Sequence, residues 1–222
     1  MTEEPHPIGR KQALVTYAML AAMAFELAGL LWSARWVQAV LVVALMLVIA
    51  LPVIHRRGVI AIVPVEIQVC TVIFIFATLF LGEFRDFYGR FWWWDLVLHT
   101  CSGVLLGLLG FLLLYLLNET EAVDMALRPA FLAFFAFCFA VALGALWEIF
   151  EFAMDQIFGM TMQKPMLGDP SGLTDTMWDL IVDTIGALIA SLGGLIYLLR
   201  ARKEGRKDWL HRFVERYPRM FN

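Results

Sequence analysis

Six stretches of the chain, roughly 13–34, 36–54, 60–82, 95–117, 129–157 and 175–199, stay apolar for about twenty residues or more, without the period-two alternation of a half-buried strand. A hydrocarbon core of ~30 Å is crossed by about 20 helical residues. Each stretch therefore predicts a membrane-spanning helix. The first follows Arg10 and Lys11, as a signal peptide would, but its apolar run is too long for an h-region and no polar cleavage region follows. It reads as a retained span.

The pattern between the stretches is that of a compact bundle: connections are short, and no internal repeat or low-complexity tract interrupts them. Pro129 opens the fifth stretch, where its missing N–H is harmless. Pro52 and Pro64 bracket His55-Arg56-Arg57-Gly58, which predicts a tight turn, and Phe91-Trp92-Trp93-Trp94 stands where an interfacial aromatic belt belongs. The expected architecture is all-α: one six-helix transmembrane domain over residues 1–200, then a tail over 201–222. In that tail Trp209, Leu210, Phe213 and Tyr217 recur at helical spacing among Arg206, Lys207, Arg212, Arg216 and Arg219. A basic amphipathic helix lying on an anionic inner leaflet is expected, with docking to a partner protein as the alternative.

Composition narrows the class. Apolar residues make up 61% of the 222 residues and charged residues 17%, with a mean hydropathy of +0.76. Soluble domains are about 45–50% apolar and about 25% charged. A soluble enzyme, a nucleic-acid binder, a disordered chain and a disulfide-stapled module are excluded. Cys70, Cys101 and Cys138 lie in apolar runs without paired spacing and read as packing residues.

Charge gives orientation. Six spans put both termini on one side, and all of the 17 basic residues except Arg35, Arg85, Arg90 and Lys164 fall on that side. The positive-inside rule makes it the cytoplasm. The 20 acids divide the opposite way. Glu26, Glu83, Asp86, Asp95, Glu148, Glu151, Asp155, Asp169, Asp175, Asp179 and Asp183 all belong to the outer half, so the net charge of −3 is the sum of a basic inner rim and an acidic outer one.

The outer acids line up on helices. Asp95 and His99 are four apart at the start of the fourth span. Glu148, Glu151 and Asp155 share a face near the end of the fifth, and Asp175, Asp179 and Asp183 step by four down the sixth. Each stripe continues into small residues: Gly103, Gly107 and Gly110; Gly144; Gly186, Ala190, Gly193 and Gly194. Small residues let helices approach closely in lipid, so the three helices should meet there with the acids around an outward cavity. Gly103–Gly107 would serve equally to join spans in one chain or in a homo-oligomer.

Asp95 and Asp175 stand near helix starts, where carboxylates cap free N–H groups. Glu148, Glu151 and Asp155 approach a helix C-terminus, where the dipole disfavours them, and Asp183 is two turns into the membrane. Intramembrane ionisable groups are expensive and functional by default. The bland alternative is a buried network neutralised by Arg85 or Arg90. One histidine among carboxylates suits a hard or carboxylate-preferring divalent metal, with His99, Glu148 and Asp183 as the expected ligands. Without a metal, His99 acts as general acid or base with Asp95, Glu148, Glu151, Asp179 and Asp183 as its charge partners. Ser102, three residues from His99, reads as a packing residue.

At Trp94-Asp95-Leu-Val-Leu-His99 with Ser102-Gly103, Trp147-Glu148-Ile-Phe-Glu151 and Asp179-Leu-Ile-Val-Asp183-Thr-Ile-Gly186, the chain resembles the YjdF-type family of bacterial inner-membrane proteins. Leu81-Gly82-Glu83 and Tyr88 fit the same pattern, and the similarity runs from about residue 60 onward. More distantly the chain resembles the VanZ-like family, in which Gln would be expected where Glu151 stands and Asn where Asp183 stands. The resemblance implies a multi-pass protein of the bacterial cytoplasmic membrane and supplies no reaction. The expected function is a carboxylate/His site in the outer half of the bilayer acting on an envelope or lipid-linked substrate. A cation- or proton-coupled transporter is the rival, although the inner half offers little polar path beyond Glu66 and Gln68. A non-catalytic assembly subunit is the third reading.

Overall fold

A computed structural model describes residues 10–54, 65–119 and 127–203. These residues are helical, with no strand among them beyond an isolated bridge between Met166 and Asp169. The helices are α1 (Arg10–Trp32), α2 (Trp36–Ile54), α3 (Val65–Ile75), which continues as a π-helix over Phe76–Phe84, the short α4 (Phe87–Arg90), α5 (Trp94–Glu119), α6 (Pro129–Phe158) and α7 (Leu173–Lys203). Five segments are long and apolar enough to cross a bilayer: Ala13–Trp32, Glu66–Phe84, Trp94–Leu114, Pro129–Phe158 and Leu173–Lys203. The stretch expected as a second span is α2, whose apolar part Gln38–Leu51 falls short of that length. The turn at 55–58 and the tail from residue 204 lie outside the described residues.

The chain forms two compact units, Met1–Trp94 and Asp95–Asn222. In the first, Met23 and Leu30 of α1 pack with Ala39, Val42 and Ile49 of α2, Val72 of α3 and Phe80 of the π segment. Phe25, Trp32, Val40 and Leu47 stay exposed, as lipid-facing side chains must. The π segment stacks Phe76 on Phe80 and Phe80 on Phe84, with centroids 4.9 and 5.7 Å apart. Its last turn closes through Arg85 N–H donating to the Phe80 carbonyl at 2.9 Å, the five-residue step of a π-helix. Asp86 then takes the left-handed conformation at φ 58° and turns the chain into α4. The Tyr88 ring packs where a side chain on Gly82 would be.

The second unit holds α5, α6 and α7, and its core is built on small residues. A Cβ on Gly103 would overlap the Asp183 carbonyl and lie 3.0 Å from Ala187 N, and one on Gly186 would overlap the Thr100 carbonyl and lie 3.0 Å from Val104 N. α5 and α7 therefore touch backbone to backbone. One turn deeper Gly107 faces Ala190, and Gly194 receives the Phe111 ring. Gly110 packs against Ala136 and Phe139 of α6. The GxxxG unit thus joins two helices of one chain. Gly193, in contrast, has nothing within 4 Å of its Cβ position. Pro129 occupies the first turn of α6, and Gly159 ends it at φ 62°, donating to the Asp155 carbonyl.

Candidate metal and acid/base site

The six residues expected to form the site, Asp95, His99, Glu148, Glu151, Asp179 and Asp183, all fall in the second unit, and the structure brings them together with Asp175. α5 supplies Asp95 and His99, α6 supplies Glu148 and Glu151, and α7 supplies Asp175, Asp179 and Asp183. At 1.5 Å per residue, His99, Asp179 and Asp183 sit about 7–15 Å in from their helix starts, and Glu148 about 15 Å in from the end of α6. Glu148, Asp179 and Asp183 are 4%, 1% and 3% exposed.

His99 is ringed by carboxylates. Its Nδ1 lies 3.1 Å from Asp183 Oδ2 and 3.8 Å from Glu148 Oε1, and its Nε2 lies 3.7 Å from Asp95 Oδ1 and 3.9 Å from Asp179 Oδ2. Only the Asp183 contact is a hydrogen bond. The other Asp183 oxygen accepts from the Ser102 hydroxyl, so Asp183 links two positions of α5. Gly144 on α6 makes room for it: a Cβ there would lie 2.8 Å from Asp183 Oδ2. Ser102 is more than packing, a role that its spacing from His99 alone did not reveal.

Glu148 and Asp179 stand apart from these. Both oxygens of each are buried; those of Asp179 carry no hydrogen bond among the described residues, and on Glu148 only the Thr176 hydroxyl acts, without the geometry of an ordinary bond. Buried polar groups are ordinarily bonded, and an uncompensated buried carboxylate is costly. Donor atoms of His99, Glu148 and Asp179 lie within 4.8 Å of one another, as do those of Asp95, Asp175 and Asp179. Glu151 accepts from the Trp147 indole N–H at 2.8 Å. The donor chemistry fits a divalent cation: several carboxylate oxygens and one imidazole converge, and both Asp179 oxygens are left without a protein donor.

The connection from α6 to α7 is strapped over the helix ends. Asp155 accepts from Met162 N at 2.7 Å and Gln163 N at 2.9 Å, and the Gln163 side-chain amide donates to Thr176 Oγ1. Asp155, which shares a helical face with Glu148 and Glu151, is thus a loop anchor. Asp175 takes no capping role in its own helix; its Oδ2 accepts from Lys164 N at 2.7 Å. Capping falls to Asp169, which accepts from the backbone and hydroxyl of both Ser171 and Thr174. Those four hydrogen bonds hold its carboxyl well below the usual carboxylate range.

The cation beside the cluster is neither arginine. Arg85 pairs with Glu26, and Arg90 lies 4.0 Å from Asp86, both in the first unit. Lys164 places its ammonium 3.0 Å from Asp95 Oδ2. Nothing in the periodicity of the spans signals this, because Lys164 sits in the loop and reaches Asp95 only through the loop's fold.

A family described as "Predicted membrane protein (DUF2238)" matches residues 12–200. This agrees with the YjdF-type resemblance and does not extend to the VanZ-like one. An uncharacterised protein of Thermotoga maritima is 30% identical over 129 residues, 58% of this chain and 59% of that protein. The chain thus spans somewhat more than half of that relative's length. No solved structure matches.

Proposed function

We propose that this chain, which belongs to the family of predicted membrane proteins DUF2238, is a six-span protein of the bacterial cytoplasmic membrane. Its α5–α7 cluster binds a divalent metal and acts on an envelope or lipid-linked substrate at the outer face. One observation carries the reading: Glu148 and Asp179 are buried beside His99, the Asp179 oxygens without any hydrogen-bond donor and Glu148 with only the Thr176 hydroxyl acting on it. A cation that supplies no hydrogen but accepts several oxygens is the partner such groups need.

In this reading His99 Nε2, Glu148 and Asp179 are the ligand atoms. Asp183 holds His99 through Nδ1 and is itself held by Ser102, the outer-shell arrangement that fixes the ring and tautomer of metal-bound histidines. A metal there would polarise a substrate oxygen or activate a water. Glu151, one turn from Glu148, is the group placed to move a proton. The positive-inside count puts both termini in the cytoplasm and the site outside. An outer-face position suits a substrate with one end in lipid and the other in water.

The transporter reading needs a path onward from the cluster. Below it Gly103 and Gly186 bring α5 and α7 into backbone contact, and Gly107 meets Ala190; that packing argues against a conduit between these helices. Elemental analysis of protein purified in mild detergent tests the metal reading. Stoichiometric divalent metal is expected in the wild type and its loss in His99→Ala and Glu148→Gln. A folded wild-type protein that contains no metal, and takes up none from Mn2+, Zn2+ or Fe2+, refutes it.

A further inference from the structure

We propose that the cluster is a two-cation centre bridged by Asp179, and that Lys164 competes with the second cation for its ligands. The inference rests on the metal reading above and extends it to a second ion, a charge balance and a gate. Two groups of three donors share one residue: His99, Glu148 and Asp179 form the first, and Asp95, Asp175 and Asp179 the second. Asp179 is 1% exposed and both its oxygens are without a hydrogen bond. One oxygen for each ion is the bonding mode of a bridging carboxylate, and paired ions in two-metal sites stand about 3.5–4 Å apart. A single ion on the first group would engage one Asp179 oxygen and leave the other, with Asp175, 2% exposed, and Asp95, to Lys164 alone.

Charge points to the same number. Asp95, Glu148, Glu151, Asp175, Asp179 and Asp183 bring six carboxylates, against which the described residues set one lysine and one histidine. With His99 neutral as a ligand, two divalent ions offset most of the charge that remains, whereas one ion leaves the greater part of it unmet. The cost of concentrating that much like charge in a water-poor bundle is high enough to need both.

Lys164 is attached to the second group at two points. Its ammonium lies 3.0 Å from Asp95 Oδ2, and its backbone N–H donates to Asp175 Oδ2 at 2.7 Å. Of the three second-group residues, only Asp179 escapes it. The ammonium is a single positive charge on a flexible stem, held over the ligands by a loop that Asp155 and Asp169 fasten on either side. A divalent ion entering the second group must displace this ammonium from Asp95. The first position lacks such a competitor, so it fills first and the second fills more weakly.

Titration of metal-free, detergent-solubilised protein with Mn2+, followed by metal analysis and electron paramagnetic resonance, tests the proposal. The expected result is two equivalents bound in two phases, with the second producing the spectrum of an exchange-coupled pair. Asp175→Asn is expected to keep one equivalent with an isolated-ion spectrum, and Asp179→Asn to lose the coupling. Lys164→Met removes the ammonium from Asp95 while keeping the backbone bond to Asp175 and every proposed ligand, and is expected to tighten the second phase alone, by about tenfold or more, the size of outer-shell effects on metal sites. One equivalent in the wild type, unchanged in Asp175→Asn and Lys164→Met, overturns the two-cation centre while leaving the metal reading standing. No Mn2+ bound by the folded wild type, together with none of the other divalent metals, overturns the metal reading itself. Two equivalents with a second phase indifferent to Lys164→Met overturns the gate.

Discussion

Gly186→Ala is a one-methyl change whose outcome separates two opposed effects. In an ordinary helix alanine is better than glycine by about 1 kcal/mol, so the substitution alone would strengthen α7. The structure says that the methyl has nowhere to go: it would overlap the Thr100 carbonyl and stand 3.0 Å from Val104 N. Non-bonded C···O contacts across helix pairs run about 3.3–3.6 Å. Both neighbours are backbone and cannot swing aside, so α5 and α7 must part by about 1 Å. Overpacking of this kind costs about 1–3 kcal/mol, which matches or exceeds the propensity gain. The effect on the site is larger than that on stability. His99 Nδ1 and Asp183 Oδ2 are 3.1 Å apart, on residues one position from Thr100 and three from Gly186. A further ~1 Å takes them beyond hydrogen-bond range, and loss of such an outer-shell partner weakens metal binding about 10–100-fold.

Gly193→Ala on the same helix is the internal control, because its Cβ position is open. Thermal unfolding in detergent, with bound metal measured in parallel, reads both variants. Gly193→Ala is expected to hold or raise the Tm with metal content unchanged. Gly186→Ala is expected to fall below it and to lose metal. If the two variants behave alike, with the Tm raised and the metal retained, the backbone contact between α5 and α7 is not what positions His99 against Asp183.

Two other outcomes follow from the hydrogen bonds around the site. Ser102→Ala removes the hydroxyl that donates to Asp183 and is expected to lower metal affinity by roughly tenfold with the protein still folded, as read by competition with a metal-chelating dye; unchanged affinity would make Ser102 the packing residue that its spacing suggested. Asp155→Ala frees the amides of Met162 and Gln163, so hydrogen–deuterium exchange should rise at 160–164 while the α7 residues beneath keep their protection; unchanged exchange at those two amides would show that Asp155 does not hold the loop.

Much of this arrangement was legible from spacing. The steps of three and four that put Asp95 with His99, Glu148 with Glu151, and Asp175 with Asp179 and Asp183 on common faces are geometric consequences of the helix. The small residues below them told which helices would meet. Even there the sequence was ambiguous between Gly193 and Gly194, and only the i, i+4 run through Gly186 and Ala190 to Gly194 carries the contact, with Phe111 filling the space. What spacing cannot express is the path of a connection. The role expected of Asp175 belongs to Asp169, because the chain from 159 to 172 folds back and brings Ser171 and Thr174 to that carboxylate. The same fold delivers Lys164 to Asp95, across 69 residues. Arg85 and Arg90, the cations expected to neutralise the acids, are instead paired with Glu26 and Asp86.

The glycine contacts between α5 and α7 also bear on how the cluster communicates with its surroundings. A helix pair sealed by backbone on backbone leaves no column of water along that seam. Along that seam, protons and ions reach His99 only from the end where the 159–172 loop lies. In the reading proposed above, the cluster exchanges with the solution on that side. Its ionisation and metal content would follow the acidity and ion supply of that single compartment, so a change in the medium on that side would be felt within the membrane, while an equal change on the other side would pass unnoticed.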